Sequence, residues 1–188
     1  KAEVLRGELD VAWTRLEEAL ALTERLAPGG LDSATCLHQM SDIPLERGDY
    51  GAAEGLCRRA LEILVRRAPD SEHRAQVEQS LADLLNIQDK KVDALLHYRE
   101  SVRALEAQIN RLGGTRETGE SFAASRKAYY SDLMEALVDA GLGPEAFAIW
   151  ERSRARSLLQ MLAERDLVFT ADIPTELDRR RRALAAEY

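Results

Sequence analysis

The sequence predicts an all-α array of stacked antiparallel helix pairs. Three observations carry this. Four segments share one spacing of turn, small and bulky residues. Between the turns, apolar residues recur at helical intervals. Ala, Leu, Glu and Arg dominate the composition, side chains that lose little rotamer freedom in a helix, and no stretch alternates apolar and polar residues as a half-buried strand would.

The shared spacing is a turn residue, a small Ala five positions later, a bulky residue four further on and a small residue three after that. It fits Gly7–Ala12–Leu16–Ala19, Gly48–Ala53–Cys57–Ala60, Asp89–Ala94–Tyr98–Ser101 and Gly141–Ala146–Trp150–Ser153. The Ala steps by 41 (12 to 53), by 41 again (53 to 94) and by 52 (94 to 146). The longer third step contains the insertion Gly113-Gly114-Thr115-Arg116-Glu117-Thr118-Gly119, readable as a surface loop or as a lip over a ligand site. Fixed periods of this length mark repeat architectures.

Each element follows from local pattern. Over 50–68, Ala53, Leu56, Cys57, Ala60, Leu61 and Leu64 form one i, i+3, i+4, i+7 stripe. Ala94, Leu95, Tyr98, Val102 and Leu105 repeat it over 91–112. Pro69 and Gly113-Gly114 close these helices, and Pro144 suits the first turn of the next. Partner helices are expected near 32–47, 73–88 and 121–140, and Pro44 is expected to kink or shorten the first. Short side chains let two helices approach closely, the bulky residue fills the adjacent groove, and stacking buries a stripe that a lone hairpin cannot.

Composition narrows the function. Apolar residues at 45% and charged at 31% describe a globular chain, and a net charge of −7 argues against a nucleic-acid partner. No apolar stretch is long enough to span a bilayer and no signal-peptide pattern opens the chain. Cys36 and Cys57 fit reduced thiols in a cytoplasmic protein. The C-terminal arginines do not make a basic patch. Over 150–188, Arg152, Arg154, Arg156, Arg165 and Arg179 to Arg182 face Glu151, Glu164, Asp166, Asp172, Glu176, Asp178 and Glu187. A salt-bridged solvated helix or a docking contact to an adjacent domain fits that balance.

Gly48-Asp49-Tyr50 with Ala53, Cys57 and Ala60-Leu61 resembles the tetratricopeptide repeat in its turn glycine, aromatic and second-helix pattern. Gly7, Ala12, Leu16 and Ala19-Leu20 match the same positions, with Leu9 where the family has its aromatic. The period is longer than the family's usual length of about 34, and is similar to the extended variant of kinesin light chains and many bacterial regulators. The resemblance implies a right-handed superhelical solenoid of about three full repeats plus a partial N-terminal one. Units are expected near 1–29, 30–70, 71–112 and 120–165, followed by a linker and Arg-rich helix over 166–188. A second resemblance rests on Ala146-Phe147 and Glu151-Arg152-Ser153-Arg154-Ala155-Arg156-Ser157-Leu158-Leu159, with Pro174 and Asp178 to Leu184 beyond. It is similar to the last repeat of bacterial proteins that continue into a CHAT domain, a caspase-like peptidase. It implies a missing adjacent domain of the same polypeptide beyond 188 and carries no catalytic residue onto this chain.

Chemistry has few candidates. Cys57 occupies a core position. Cys36 and His38 stand two apart and so on different helix faces, and Gly113-Gly114 lacks the Lys-Ser/Thr of a phosphate loop. No metal, cofactor or catalytic residue is therefore expected. The functional surface implied by the tetratricopeptide resemblance is the inner groove lined by first helices. It comprises Thr35, His38, Asp42 and Glu46, then Gln76, Gln79, Asp83 and Asn86, then Ser131, Glu135 and Asp139. An acid recurs at Asp42, Asp83 and Glu135, which favours a basic or amide-rich extended peptide; solubility of exposed helices would give the same residues. The expectation is a non-enzymatic protein-interaction scaffold, the sensing arm of a larger protein. The alternatives are a stand-alone adaptor or a signalling-peptide sensor.

Overall fold

The computed structural model describes the backbone of residues 2–111 and 120–155, and the side chains of 7–109, 111 and 127–155. Helices α1 (Ala2–Leu26), α2 (Leu31–Glu46), α3 (Tyr50–Arg67), α4 (Glu72–Ile87), α5 (Lys91–Arg111) and α6 (Glu120–Asp139) follow one another. A seventh, α7, is described over 143–155. Among the described residues there is no strand, and no helix is long and apolar enough to cross a membrane. The chain forms two compact units, Lys1–Ala146 and Phe147–Tyr188. In the first, each helix packs on its sequence neighbours: α1 on α2, α2 on α3, α3 on α4, α4 on α5 and α5 on α6. This is a solenoid of helix pairs.

The repeat is written in the turns. Three connections of three residues each join α2 to α3, α4 to α5 and α6 to α7. Their middle residues, Gly48, Asp89 and Gly141, all adopt positive φ, at 78°, 59° and 74°. Each ends its helix in the same way. The N–H groups of Gly48, Asp89 and Gly141 donate to Leu45, Asn86 and Val138. Those of Asp49, Lys90 and Leu142 reach back to Pro44, Leu85 and Leu137. This double closure satisfies carbonyls that the helix end would leave orphaned. The next helix starts alike, with Ala53, Ala94 and Ala146 donating to Asp49, Lys90 and Leu142. Side chains assist at two starts: Asp49 at α3 accepts from Ala52 N–H, and Ser71 at α4 accepts from Arg74 N–H.

Two expectations need correction. Pro44 does not shorten its helix: α2 and α4 both run 16 residues. Pro44 sits in the last turn, where its buried ring occupies the position of the fully buried Leu85 and Leu137, and its carbonyl accepts from both Arg47 and Asp49. Gly7 is not a turn. It lies inside α1, because the flanking residues are good helix formers and one internal glycine costs only about 1 kcal/mol.

The core follows the expected stripes on α3 and α5, except that Leu61 is half-buried; on α1 the matching Ala12, Leu16 and Ala19 are also half-buried. Ala53, Cys57, Ala60 and Leu64 are fully buried on α3, as are Leu81 and Leu85 on α4, Ser101 and Leu105 on α5 and Leu137 on α6. Each buried leucine contributes about 1.5–3 kcal/mol relative to exposure. Cys36 is buried as well. The Cys57 thiol donates to Ser41 Oγ at 3.3 Å, and burial pushes its pKa up, so it is a packed and unreactive thiol. The insertion over 113–119 and residues 156–188 lie outside the described residues.

In the second unit, residues 147–155 are helical. Phe147 and Trp150 stack at 5.6 Å between ring centroids, and the Arg154 guanidinium lies 4.7 Å from the Trp150 ring centroid. Trp150 repeats the bulky position of Cys57 and Tyr98, yet it is exposed.

Candidate functional site: the face of the first helices

The first helix of each pair, α2, α4 and α6, contributes one face of the first unit. Two side-chain bonds tie these helices directly together, and they obey one rule. His38 on α2 meets Ser80 on α4 (Nε2 to Oγ, 3.0 Å), and the Gln79 amide on α4 donates to Asp132 on α6 (2.6 Å). Gln79 is the repeat equivalent of His38 (38 to 79, 41 residues), and Asp132 of Ser80 (80 to 132, 52 residues). A residue on one first helix therefore bonds the position one further along on the next. His38 and Gln79 are both expected groove residues, and both are spent on this ladder. Ser101 on α5 adds a hydroxyl bond to Gln79 Oε1 (3.0 Å), fixing the amide's orientation.

Beside the ladder runs the acid row. Asp42, Asp83 and Glu135 sit on α2, α4 and α6, all exposed. Asp132, three residues before Glu135, joins them, a residue the repeat mapping passed over. Among the described residues none of these four carboxylates pairs with a lysine or arginine; the charged partners lie elsewhere on the chain. Their surroundings disfavour the charge. Burial raises the pKa of Asp42, with Glu46 adding to it. Burial raises that of Asp132, with Asp83 and Glu135 adding. Burial also raises Asp83, opposed by the Tyr98 hydroxyl that donates to it at 2.7 Å. Tyr98 itself is pushed up, by burial first and then by Asp83. Tyr129 is pushed up to about 12, by burial and then by Glu72 and Asp83. The α4–α6 part of the face is thus a half-desolvated field of negative charge with two tyrosines beneath it.

The α2–α4 part differs. His38 and His73 lie with ring centroids 5.7 Å apart, and burial lowers both pKa values, with His38 lowering that of His73 further. His38 against Ser80 has the spacing of a base and a nucleophile, but no hydrogen bond among the described residues orients the other imidazole nitrogen with a third group, which activation requires. The same ladder position is filled by Gln79 and Asp132 one repeat on, so the contact reads as inter-repeat bonding. No group of three or more metal-ligating side chains converges among the described residues.

The remaining expected residues fall as follows. Thr35 is exposed and returns its hydroxyl to the Leu31 carbonyl; Gln76 is exposed and bonds Glu72. Glu46, Asn86, Ser131 and Asp139 are exposed. Asn86 is one residue out of register, since the equivalent of Glu46 and Asp139 is Ile87, which is also exposed. Sequence reasoning missed His73, Ser80, Tyr129 and Asp132 as members of this face, and Tyr98 on α5 beneath it. Asp132 alone had an available signal, an acid three residues before Glu135 and so on the same side of α6.

No family model matches the chain, and no curated protein does. Solved structures do. BtubC (BKLC) from P. vanneervenii is similar at 21% identity and a TM-score of 0.64, over 81% of this chain and 58% of that one, so this chain spans less than two thirds of that protein's length. Two structures of a putative kinesin light chain from Podosopora anserina with nearly identical TPR-like repeats are also similar, each with a TM-score of 0.59. One is at 16% identity over 92% of this chain and 72% of that one; the other, a point variant, is at 17% over 82% and 69%. At these identities the likeness speaks to architecture, and the chain has a tetratricopeptide-like helical-repeat fold.

Proposed function

We propose that the α2–α4–α6 face is a docking surface for an extended segment of another protein that presents lysine or arginine side chains, so that the chain acts as an interaction scaffold rather than an enzyme. The carrying observation is the acid row: Asp42, Asp83, Asp132 and Glu135 lie on one face, partly desolvated, with no basic side chain of the described chain paired to them. A cation supplied from outside would restore the carboxylates' preference for the charged form. Titration calorimetry with an extended peptide carrying lysine at regular intervals tests this. Binding that weakens with salt and is lost in the Asp42→Asn/Asp83→Asn/Glu135→Gln variant supports the reading. Equal binding by that variant, or tighter binding of the glutamate counterpart, refutes it.

A narrower reading is favoured by the string Glu151-Arg152-Ser153-Arg154-Ala155 in the helical segment 143–155. It makes the chain the cytoplasmic sensing arm of a bacterial tetratricopeptide–CHAT protein, in which partner binding biases an adjacent peptidase. It requires the partner to bind one state better than the other. The native polypeptide would then continue beyond Tyr188 with a paired His and Cys. A stop soon after Tyr188 would leave a stand-alone adaptor.

A further inference from the structure

The α4–α6 step of the face differs from the α2–α4 step at three positions. Repeat spacing puts Ser80 in the earlier step where Asp132 stands in the later one, Val77 where Tyr129 stands, and Cys57 where Tyr98 stands. These exchanges gather carboxylates and phenols in one place. Burial and the bond to Asp83 raise the Tyr98 hydroxyl, and Asp132 and Glu135 raise it further, so all three acids lie within its electrostatic reach. Asp132, raised first by burial, also feels Asp83 and Glu135.

Two of these acids are held in place by the chain's own donors. Tyr98 O–H donates to Asp83 Oδ1 (2.7 Å), and Gln79 Nε2 donates to Asp132 Oδ2 (2.6 Å). Ser101 fixes the Gln79 amide from its other end (3.0 Å). The second oxygens of Asp83 and Asp132, both oxygens of Glu135 and the Tyr129 hydroxyl make no hydrogen bond among the described residues. Tyr129 is 8% exposed, so its ring is packed, yet its hydroxyl is not enclosed. After burial, Glu72 and Asp83 push that hydroxyl up, which sets it against the acids of α4. A packed polar side chain is normally paired, so one left without a partner beside an open acid cluster points to a ligand.

The cluster therefore offers several acceptors of fixed direction, carried on two helices in partly desolvated surroundings. An ammonium has three donors on one strongly hydrated centre, whereas a guanidinium spreads five N–H donors over a plane and is more weakly hydrated. We infer that the α4–α6 cluster is an arginine subsite, in which one guanidinium bridges the free oxygens of Asp83 on α4 and of Asp132 and Glu135 on α6, with the Tyr129 hydroxyl accepting a further N–H. The inference rests on the docking reading above and adds its selectivity. Asp42, at the step that has Ser80, Val77 and Cys57 instead, takes either basic side chain.

Titration calorimetry of the whole chain tests this with an acetylated, amidated peptide bearing regularly spaced arginines and with its lysine counterpart. The arginine peptide should bind at least about tenfold more tightly. Tyr129→Phe removes one acceptor from a packed ring, and Asp132→Asn removes a charge while keeping an oxygen for Gln79. Each should cut the arginine advantage to about threefold or less. Asp42→Asn should weaken both peptides by a similar factor and preserve the advantage. Far-UV circular dichroism checks that the variants stay folded. Equal affinity for the two peptides, abolished in the Asp42→Asn/Asp83→Asn/Glu135→Gln variant, overturns the arginine subsite and leaves docking of basic segments standing. An advantage that survives both Tyr129→Phe and Asp132→Asn also overturns it, since the selectivity then lies elsewhere. Binding of neither peptide removes the docking reading itself, and this inference with it.

Discussion

The hairpins α2–α3 and α4–α5 are built to one plan and filled with different chemistry. They begin 41 residues apart, Leu31 against Glu72 and Tyr50 against Lys91, and their turns close with the same hydrogen bonds. Inside, the first hairpin places Ser33, Leu37 and Leu56, with Arg59 outside. The second has Arg74, Glu78, His97 and Glu100 at these four positions. Arg74 and Glu78 are 8% and 2% exposed. Arg74 donates to Glu78 (3.1 Å), to Glu100 (2.6 Å) and to the Pro69 carbonyl (3.1 Å), and Glu78 uses its other oxygen for His97 Nδ1 (2.7 Å). One plan thus accepts either an apolar or an ionic filling, provided that the ionic one is complete. Two buried charges without all their partners would cost more than their attraction returns.

The largest effect should come from breaking that completeness. Glu78→Ala strands Arg74 in the interior and should cost about 3–5 kcal/mol in urea unfolding. Converting the whole set to that of the first hairpin (Arg74→Ser, Glu78→Leu, His97→Leu and Glu100→Arg) should fall within about 1 kcal/mol of the parent chain or exceed it. If the fourfold variant is as weak as Glu78→Ala alone, the two fillings are not interchangeable.

The second prediction concerns what joins the hairpins. Glu54 on α3 accepts from Lys90 (2.9 Å) and Gln88 (3.0 Å) in the α4–α5 turn and from Arg58 on its own helix (2.8 Å). Lys90 first, then Arg58 and Gln88, hold its carboxyl at about 2 against an ordinary 4.5. With the folded pKa lowered, this contribution is fully present above about pH 4.5 and is lost as pH falls towards about 2. Glu54→Gln should lose about 1–2 kcal/mol at pH 7 and show a flatter decline of stability through that window than the parent chain. Equal slopes would mean that other carboxylates govern the acid limb.

Smaller effects test the backbone plan. Asp89 holds the left-handed position that Gly48 and Gly141 fill without strain, so Asp89→Gly should stabilise by about 1 kcal/mol and raise the melting temperature by roughly 2–4 °C. Gly55 on α3 has open space where a Cβ would go, so Gly55→Ala should add about 0.5–1 kcal/mol by helix propensity. A loss at Gly55 would show that the exposed backbone at this glycine is kept for close contact.

These contrasts mark what was readable in the sequence. The turn residues 48, 89 and 141 could be found because backbone conformation there depends on the residue itself and recurs at fixed spacing. The small and bulky core positions could be found because burial follows helical period. The Arg74–Glu78–His97 set could not, since periodicity records how polar a position is and not which neighbour on another helix satisfies it. The ladder from His38 to Ser80 and from Gln79 to Asp132 was hidden for the same reason. On a helix surface those residues look free. Gly7 misled because a glycine marks a turn only where the chain must reverse.

That ladder also fixes a ruler. Because its bonds are direct, adjacent first helices are held apart by the reach of one side-chain pair, the same reach at each step. The acids of the row, one per first helix at Asp42, Asp83 and Glu135, are spaced by that step. An extended chain advances about 3.3 Å per residue. A segment laid across the three helices would therefore meet the carboxylates at a regular interval, and a ligand whose basic side chains are unevenly spaced would drift out of phase before the third.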